Sequence, residues 1–230
     1  MPVPLRRRLL AEGVGTASLV SVVVGSGIAA QQLSPDDVGL QLLENSTATV
    51  FGLGVLILAL GPVSGAHFNP VVSAADWLLG RRGGTGLAGA DVLPYALAQT
   101  AGAVLGAVLA NAMFDLDALQ VAGKDRITTG HLIGEVVATA GLIALIFALA
   151  RTGRGAWAPA AVASYIGAAY WFTSSTSFAN PAVTVGRVFS DTFAGIAPTS
   201  APGFVLAQFV GAALGLGAVL ILYPLEGSDD

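Results

Sequence analysis

The chain reads as an all-α membrane protein: six transmembrane helices plus two re-entrant half-helices, arranged as an inverted three-plus-three repeat. Composition is the first observation behind this, because 230 residues with 54% hydrophobic and only 10% charged side chains, at a mean hydropathy of +0.76, are more apolar and less charged than a soluble globular domain. The second is a series of apolar stretches of spanning length. The third is a pair of Asn-Pro motifs at matching places in the two halves, Ser64-Gly65-Ala66-His67-Phe68-Asn69-Pro70-Val71-Val72 and Thr176-Ser177-Phe178-Ala179-Asn180-Pro181-Ala182-Val183-Thr184. A soluble all-helical core is the alternative, and it fits this composition poorly. With 30 glycines, helices can approach closely in lipid, where no hydrophobic drive holds them together.

The first apolar stretch, roughly Leu9 to Ala30, follows Arg6-Arg7-Arg8 and superficially resembles a signal peptide. It is too long for an h-region, contains Glu12 and shows no clear cleavage site, so it is expected to remain as the first span. Further spans are expected at about Asn45 to Pro62, Leu93 to Phe114, His131 to Ala150, Ala158 to Thr173 and Gly203 to Tyr223, the fifth being short for the purpose. Asn69 to Leu79 and Asn180 to Phe189 are too short to cross. Each opens on Asn-Pro, and Pro is tolerated at a helix start because its missing N–H has no partner there anyway. Both therefore read as half-helices entering the membrane.

Charge placement gives the orientation. With the N-terminus cytoplasmic, Arg6, Arg7, Arg8, Arg81, Arg82, Arg151 and Arg154 fall inside, while Lys124, Arg126 and Arg187 fall outside or on the outer re-entrant loop. This agrees with the positive-inside rule, and the acidic tail from Glu226 to Asp230, also inside, counts little for orientation. Both termini are thus expected in the cytoplasm and the protein in the cell membrane. One membrane channel domain covers 1–230, with internal repeats at 9–114 and 131–225: Leu10-Ala11-Glu12 with Thr16 pairs with Ile133-Gly134-Glu135 with Thr139, and Leu97-Ala98-Gln99 with Gly102 and Gly106 pairs with Leu206-Ala207-Gln208 with Gly211 and Gly215. Three spans per unit force the second unit to enter from the opposite side. The two half-helix N-termini then face each other near the midplane.

Irregular backbone inside a membrane is tolerated only where protein or water satisfies its polar groups. The loops before Asn69 and Asn180 therefore imply a polar path, with carbonyls of 65–68 and 177–179 accepting and the Asn69 and Asn180 amides donating to water or hydroxylated solutes. Opposed helix N-termini disfavour cations and protons at the centre. Asn is also a common helix cap, and capping is compatible with lining a pore. Glu12 and Glu135 are intramembrane carboxylates, for which proton relay is the functional reading. Their symmetry and the absence of basic partners favour a structural role, accepting N–H groups of the re-entrant loops. The four-residue spacing of Gly102, Gly106, Gly211 and Gly215 predicts close helix packing within the subunit. Tyr165, Tyr170, Trp171 and Phe172 could line a pore, although Trp171 suits a membrane interface better.

The sequence offers no cysteine, hence no thiolate chemistry. His67 and His131 are the only histidines and lack ligand spacing, so no metal or other cofactor is expected. No catalytic motif emerges, which points away from an enzyme, and no basic stripe points to nucleic acid.

From Leu9 to Tyr223 the chain resembles the aquaporin and glycerol-facilitator (major intrinsic protein) family, through the two Asn-Pro segments with Glu12 and Glu135 at matching positions. The resemblance implies a homotetramer whose subunits each enclose a pore for water and small uncharged polar solutes within membrane lipid. It implies pore-lining roles for Asn69, Asn180, His67, Val71 and Ala182, and structural ones for Glu12, Glu135, Pro70 and Pro181. Two departures stand out: Val71 where the family usually has Ala, and Val183 where it usually has the Arg of the outer selectivity filter. Arg187 lies one turn further on. Carried over by offset, the filter consists of Thr49, Ala168, Ser177 and Val183, a wide and weakly charged set, with Gly167 or Ala169 as the alternatives at the fifth-span position. The stretch from Ser174 to Ile196 also looks like the bacterial branch associated with arsenic resistance, for which glycerol and arsenite are implied solutes. A closed membrane structural protein and an ion-coupled transporter remain as rival readings.

Overall fold

The computed structural model describes residues 3–81 and 84–224; Arg82 and the acidic tail lie outside the described residues. Among the described residues, eight α-helices follow in chain order: α1 Leu5–Leu33, α2 Val38–Ser64, α3 Pro70–Gly80, α4 Gly89–Met113, α5 Thr129–Arg151, α6 Ala158–Phe172, α7 Pro181–Gly186 and α8 Ala201–Leu222. Six of them cross the membrane, and α3 and α7 are the half-helices.

The spans exceed the expected apolar stretches at several ends. Helix α2 begins at Val38 because Asp37 caps it, its carboxylate accepting from Leu40 N at 2.9 Å. Helix α1 reaches Leu33, carrying the polar pair Gln31 and Gln32 in its last turn. Helix α6 is the short one, at 15 residues, or about 23 Å of rise; a 3-10 turn over Gly155–Trp157 leads into it and adds length. Helix α7 ends at Gly186, and a 3-10 turn, Arg187–Phe189, completes the segment.

The two halves pack in the same way. Helix α1 lies against α2 and α4, α5 lies against α6 and α8, and the half-helices meet each other at the centre. Glycine sets the closest approaches. A Cβ on Gly106 would lie 2.2 Å from the Ala17 carbonyl oxygen of α1, and one on Gly215 would lie 2.5 Å from that of Ala140 on α5. The glycine pairs therefore join spans within one chain.

Polar and apolar side chains are distributed as lipid demands. Leu10, Phe51, Leu58, Leu105, Leu206 and Ile221 are exposed on the outer face, whereas Glu12, Gln99, Glu135 and Gln208 have no exposure at all. Large apolar side chains face outward and carboxylates inward, the reverse of a soluble bundle.

Candidate channel and its re-entrant loops

Each half-helix begins in the same way. Asn69 accepts from Val71 N at 3.1 Å, Asn180 accepts from Ala182 N and Val183 N at 3.0 and 3.2 Å, and Pro70 and Pro181 follow at the first helical position. The loops ahead of them wind through left-handed backbone: Gly65, Ala66 and Phe68 have φ of 93°, 50° and 50°, and their counterparts Thr176, Ser177 and Ala179 have 62°, 50° and 48°. Such conformations cost about 1–3 kcal/mol each outside glycine. Something must hold them.

The two intramembrane carboxylates do so. Glu12 accepts from His67 N at 3.0 Å and Phe68 N at 2.7 Å, and also from Ser64 Oγ and Gln99 Nε2. Glu135 accepts from Phe178 N and Ala179 N, both at 2.9 Å, and from Gln208 Nε2 at 2.6 Å. The glutamines also donate to the half-helices, Gln99 to Ser73 Oγ and Gln208 to Thr184 Oγ1. A buried carboxylate with this many donors meets the condition under which burial is tolerable.

The loops are tied to each other across the midplane. Asn69 Nδ2 donates to the Ala179 carbonyl and Asn180 Nδ2 to the Phe68 carbonyl, each at 2.7 Å. An amide NH2 carries two hydrogens, so each Asn has a second one to offer. Both amides line an elongated cavity of about 200 Å³, sized for small molecules rather than drug-sized ligands. One wall is loop, 65–69 and 177–180; the other walls are apolar side chains such as Leu19, Leu53, Leu142 and Ile166. One end, the α3 mouth, carries Asp76, Ala150 and Ala158. The opposite α7 mouth carries Thr49, Tyr170, Ser177, Val183 and Arg187.

Most sequence-derived positions meet here. Asn69, Asn180, His67, Thr49, Ser177 and Val183 line the cavity. His67 Nδ1 sits 3.1 Å from Ser73 Oγ, its Nε2 3.8 Å from Asp76. The Ser177 hydroxyl is buried without a protein partner and is therefore available to a solute. Three expectations need correction. Val71 packs against Ile143 and Phe147, and Ala182 is fully enclosed among core residues; neither lines the cavity. They occupy the second position of their half-helices, facing the surrounding spans, whereas the residues one step on, Val72 and Val183, face the cavity. Ala168 is exposed on the outer face of α6. Ala158, Val162, Ile166 and Tyr170, spaced by four, form the inner face of α6, and a residue two places from Tyr170 lies about 200° around the helix.

Tyr170 is thus the residue the offset missed. Its hydroxyl lies 3.2 Å from Thr49 Oγ1, while Trp171 and Phe172 are exposed outside and Tyr165 bonds back to the Ala138 carbonyl. The four-residue spacing of Ala158, Val162, Ile166 and Tyr170 is the sequence signal for this face. Arg187, expected on the outer re-entrant loop, lines the α7 mouth. It is 2% exposed, its guanidinium 3.4 Å from the centroid of Phe178, and its Nε donates to the Ala194 carbonyl. Among the described residues, no three His, Asp or Glu side chains are grouped to hold a metal ion.

The family model described as Major intrinsic protein matches residues 2–177. The chain belongs to the major intrinsic protein family. It is 50% identical over 212 residues to the "Aquaglyceroporin AqpS" of Rhizobium meliloti (strain 1021), covering 92% of this chain and 88% of that protein. It is 30% identical over 207 residues to the "Glycerol uptake facilitator protein" of Streptococcus pneumoniae, covering 79% and 82%. Among solved structures, the aquaglyceroporin from Plasmodium falciparum superposes with a TM-score of 0.67 at 20% identity, over 94% of this chain and 96% of that one, a likeness of fold. As a member of this family the chain is a passive membrane channel, not an enzyme.

Proposed function

We propose that this channel passes water, glycerol and other small uncharged hydroxylated solutes, trihydroxides such as arsenite among them. The observation that carries the reading is the lining itself: a stripe of loop backbone with two spare Asn N–H groups runs opposite apolar walls. A polyol threads such a path with its hydroxyls on the stripe and its carbon edge on the wall. The names of the relatives, an aquaglyceroporin and a glycerol uptake facilitator, support the solute class.

The filter is the ring at the α7 mouth: Thr49, Ser177 and Val183, with Tyr170 in place of Ala168. Val183 leaves this ring without a charge at its own position, and the Tyr170 ring narrows it on the α6 side. The α3 mouth is cytoplasmic, with both termini, because Arg6, Arg7, Arg8, Arg81, Arg151 and Arg154 lie on that side. The protein works as a homotetramer in the cell membrane, each subunit with its own pore. Its solutes are small and uncharged, and its surroundings are lipid.

Stopped-flow light scattering on proteoliposomes, challenged with sorbitol, glycerol and arsenite, tests this. Wild type passes glycerol and arsenite well above empty liposomes, and Val183→Arg suppresses them at least tenfold while sparing water. Permeability to all solutes and water equal to empty liposomes sinks the open-pore reading. A second reading, a closed or gated pore, would then hold, and the stacking of Arg187 on Phe178 at the mouth favours it.

A further inference from the structure

Three cationic side chains converge at the α7 mouth with no anion to meet them. Arg126 Nε donates to the Gly195 carbonyl at 2.7 Å and its NH2 group to that of Phe193 at 3.0 Å; Lys124 Nζ donates to the same Phe193 carbonyl at 3.2 Å. Arg187 donates to Ala194 between them. Arg187 and Arg126 lie 3.4 and 5.3 Å from the centroid of one ring, Phe178, and Lys124 lies 5.0 Å from that of Phe193. Every partner is a carbonyl or an aromatic face.

The carboxylates nearby are engaged elsewhere. Asp125 accepts from Ser200 Oγ and Ile127 N, Asp191 from Gly123 N, and Glu135 from the loop amides and Gln208. Among the described residues, none forms an ion pair with Lys124, Arg126 or Arg187. Burying two guanidiniums within reach of one ring and adding an ammonium, all unpaired, opposes stability. A fold that retains such a cluster above a pore gains a positive potential there.

We propose that Lys124, Arg126 and Arg187 form the cation barrier of this channel, Arg187 on the lining of the α7 mouth and Lys124 and Arg126 beside it in the outer vestibule. The inference rests on the channel reading above. Cation exclusion and solute sieving are thereby carried by different residues: Val183 and its ring set the width, and the vestibule cluster repels K+ and hydrated protons before they reach it.

The test uses full-length protein in proteoliposomes, with glycerol flux read by stopped flow and K+ flux read by a potential-sensitive dye in the same preparation. Lys124→Glu is the principal variant, because its side chain is exposed and touches the cavity through no contact. Its K+ flux is expected to rise about tenfold, with glycerol flux within twofold of wild type, and the rise to shrink as salt screens the field. Arg126→Gln moves K+ flux in the same direction, and Arg126→Lys largely preserves the barrier. Unchanged K+ flux in Lys124→Glu and Arg126→Gln, with glycerol flux intact, overturns the inference. A wild type that passes no glycerol overturns the channel reading instead, so the two failures are distinguishable.

Discussion

Replacing Glu12 by Gln keeps the shape of the side chain and changes one acceptor into a donor. Oε1 accepts from Ser64 Oγ and His67 N, and Oε2 from Phe68 N and Gln99 Nε2. The least damaging orientation puts the new NH2 at the Oε1 position, where the Ser64 hydroxyl can turn to accept and only the His67 N–H loses its partner. One orphaned amide costs about 1–3 kcal/mol, and two surviving bonds lose charge assistance worth about 1 kcal/mol each. Relief of the carboxylate's desolvation offsets part of the resulting 3–5 kcal/mol, leaving a net loss of about 2 kcal/mol. For a chain of this size that is a fall in Tm of about 4–8 °C. Glu135→Gln orphans one amide in the same way, since Phe178 N is alone on Oε1, and should match it within about 1 kcal/mol. Thermal unfolding in detergent, followed by tryptophan fluorescence, reads the shift, and glycerol flux should fall with it as the loops relax. If Glu12→Gln leaves Tm unchanged and abolishes uptake driven by a proton gradient, the carboxylate is a coupling site and the structural role assigned to it is refuted.

Tyr170→Ala removes the bulk that closes the α6 side of the α7 mouth; sorbitol, excluded by wild type, should then permeate, and an unchanged reflection coefficient would place the constriction elsewhere. Gly106→Val forces a side chain against the Ala17 carbonyl and should cost about 1–3 kcal/mol, read as reduced folded yield and lower Tm; wild-type stability would mean that α1 and α4 are less closely held than described. Desolvation by the surrounding loops, with Arg126 and Arg187 adding to it, pushes the ammonium of the otherwise exposed Lys124 down to about 8. As pH rises through that value the ammonium loses its proton and the cluster loses that charge; K+ flux should therefore climb between about pH 7 and about pH 9, and Lys124→Gln should flatten the climb.

The sequence carried the fold because its signals are local and repeated. Spanning lengths, the two Asn-Pro caps and the matched glutamates each rest on one chain segment, and a bilayer leaves few structures able to satisfy the backbone. The site was legible where function depends on position along a loop: Asn69, Asn180, His67, Ser177 and Val183 follow from the motif itself. It was less legible where the answer depends on which way a helix turns. Ala168 was reached by offset counting along α6, and a two-residue error there is the difference between the cavity and the lipid.

Composition and repeat by themselves determined that the chain is a membrane protein of inverted halves with a polar path at their seam. Only the tertiary structure decided which residues face that path, and that Lys124 and Arg126, some 60 residues before Arg187 in sequence, share its surroundings. The physical reason is that solvent preference is written residue by residue, whereas facing and charge convergence depend on the rotation of each helix and on two loops, 114–128 and 187–200, that meet only when the halves close. Hydrogen bonds such as Ala122 N to Val188 O and Ala197 N to Lys124 O, both at 2.8 Å, fix that meeting. No local pattern announces them.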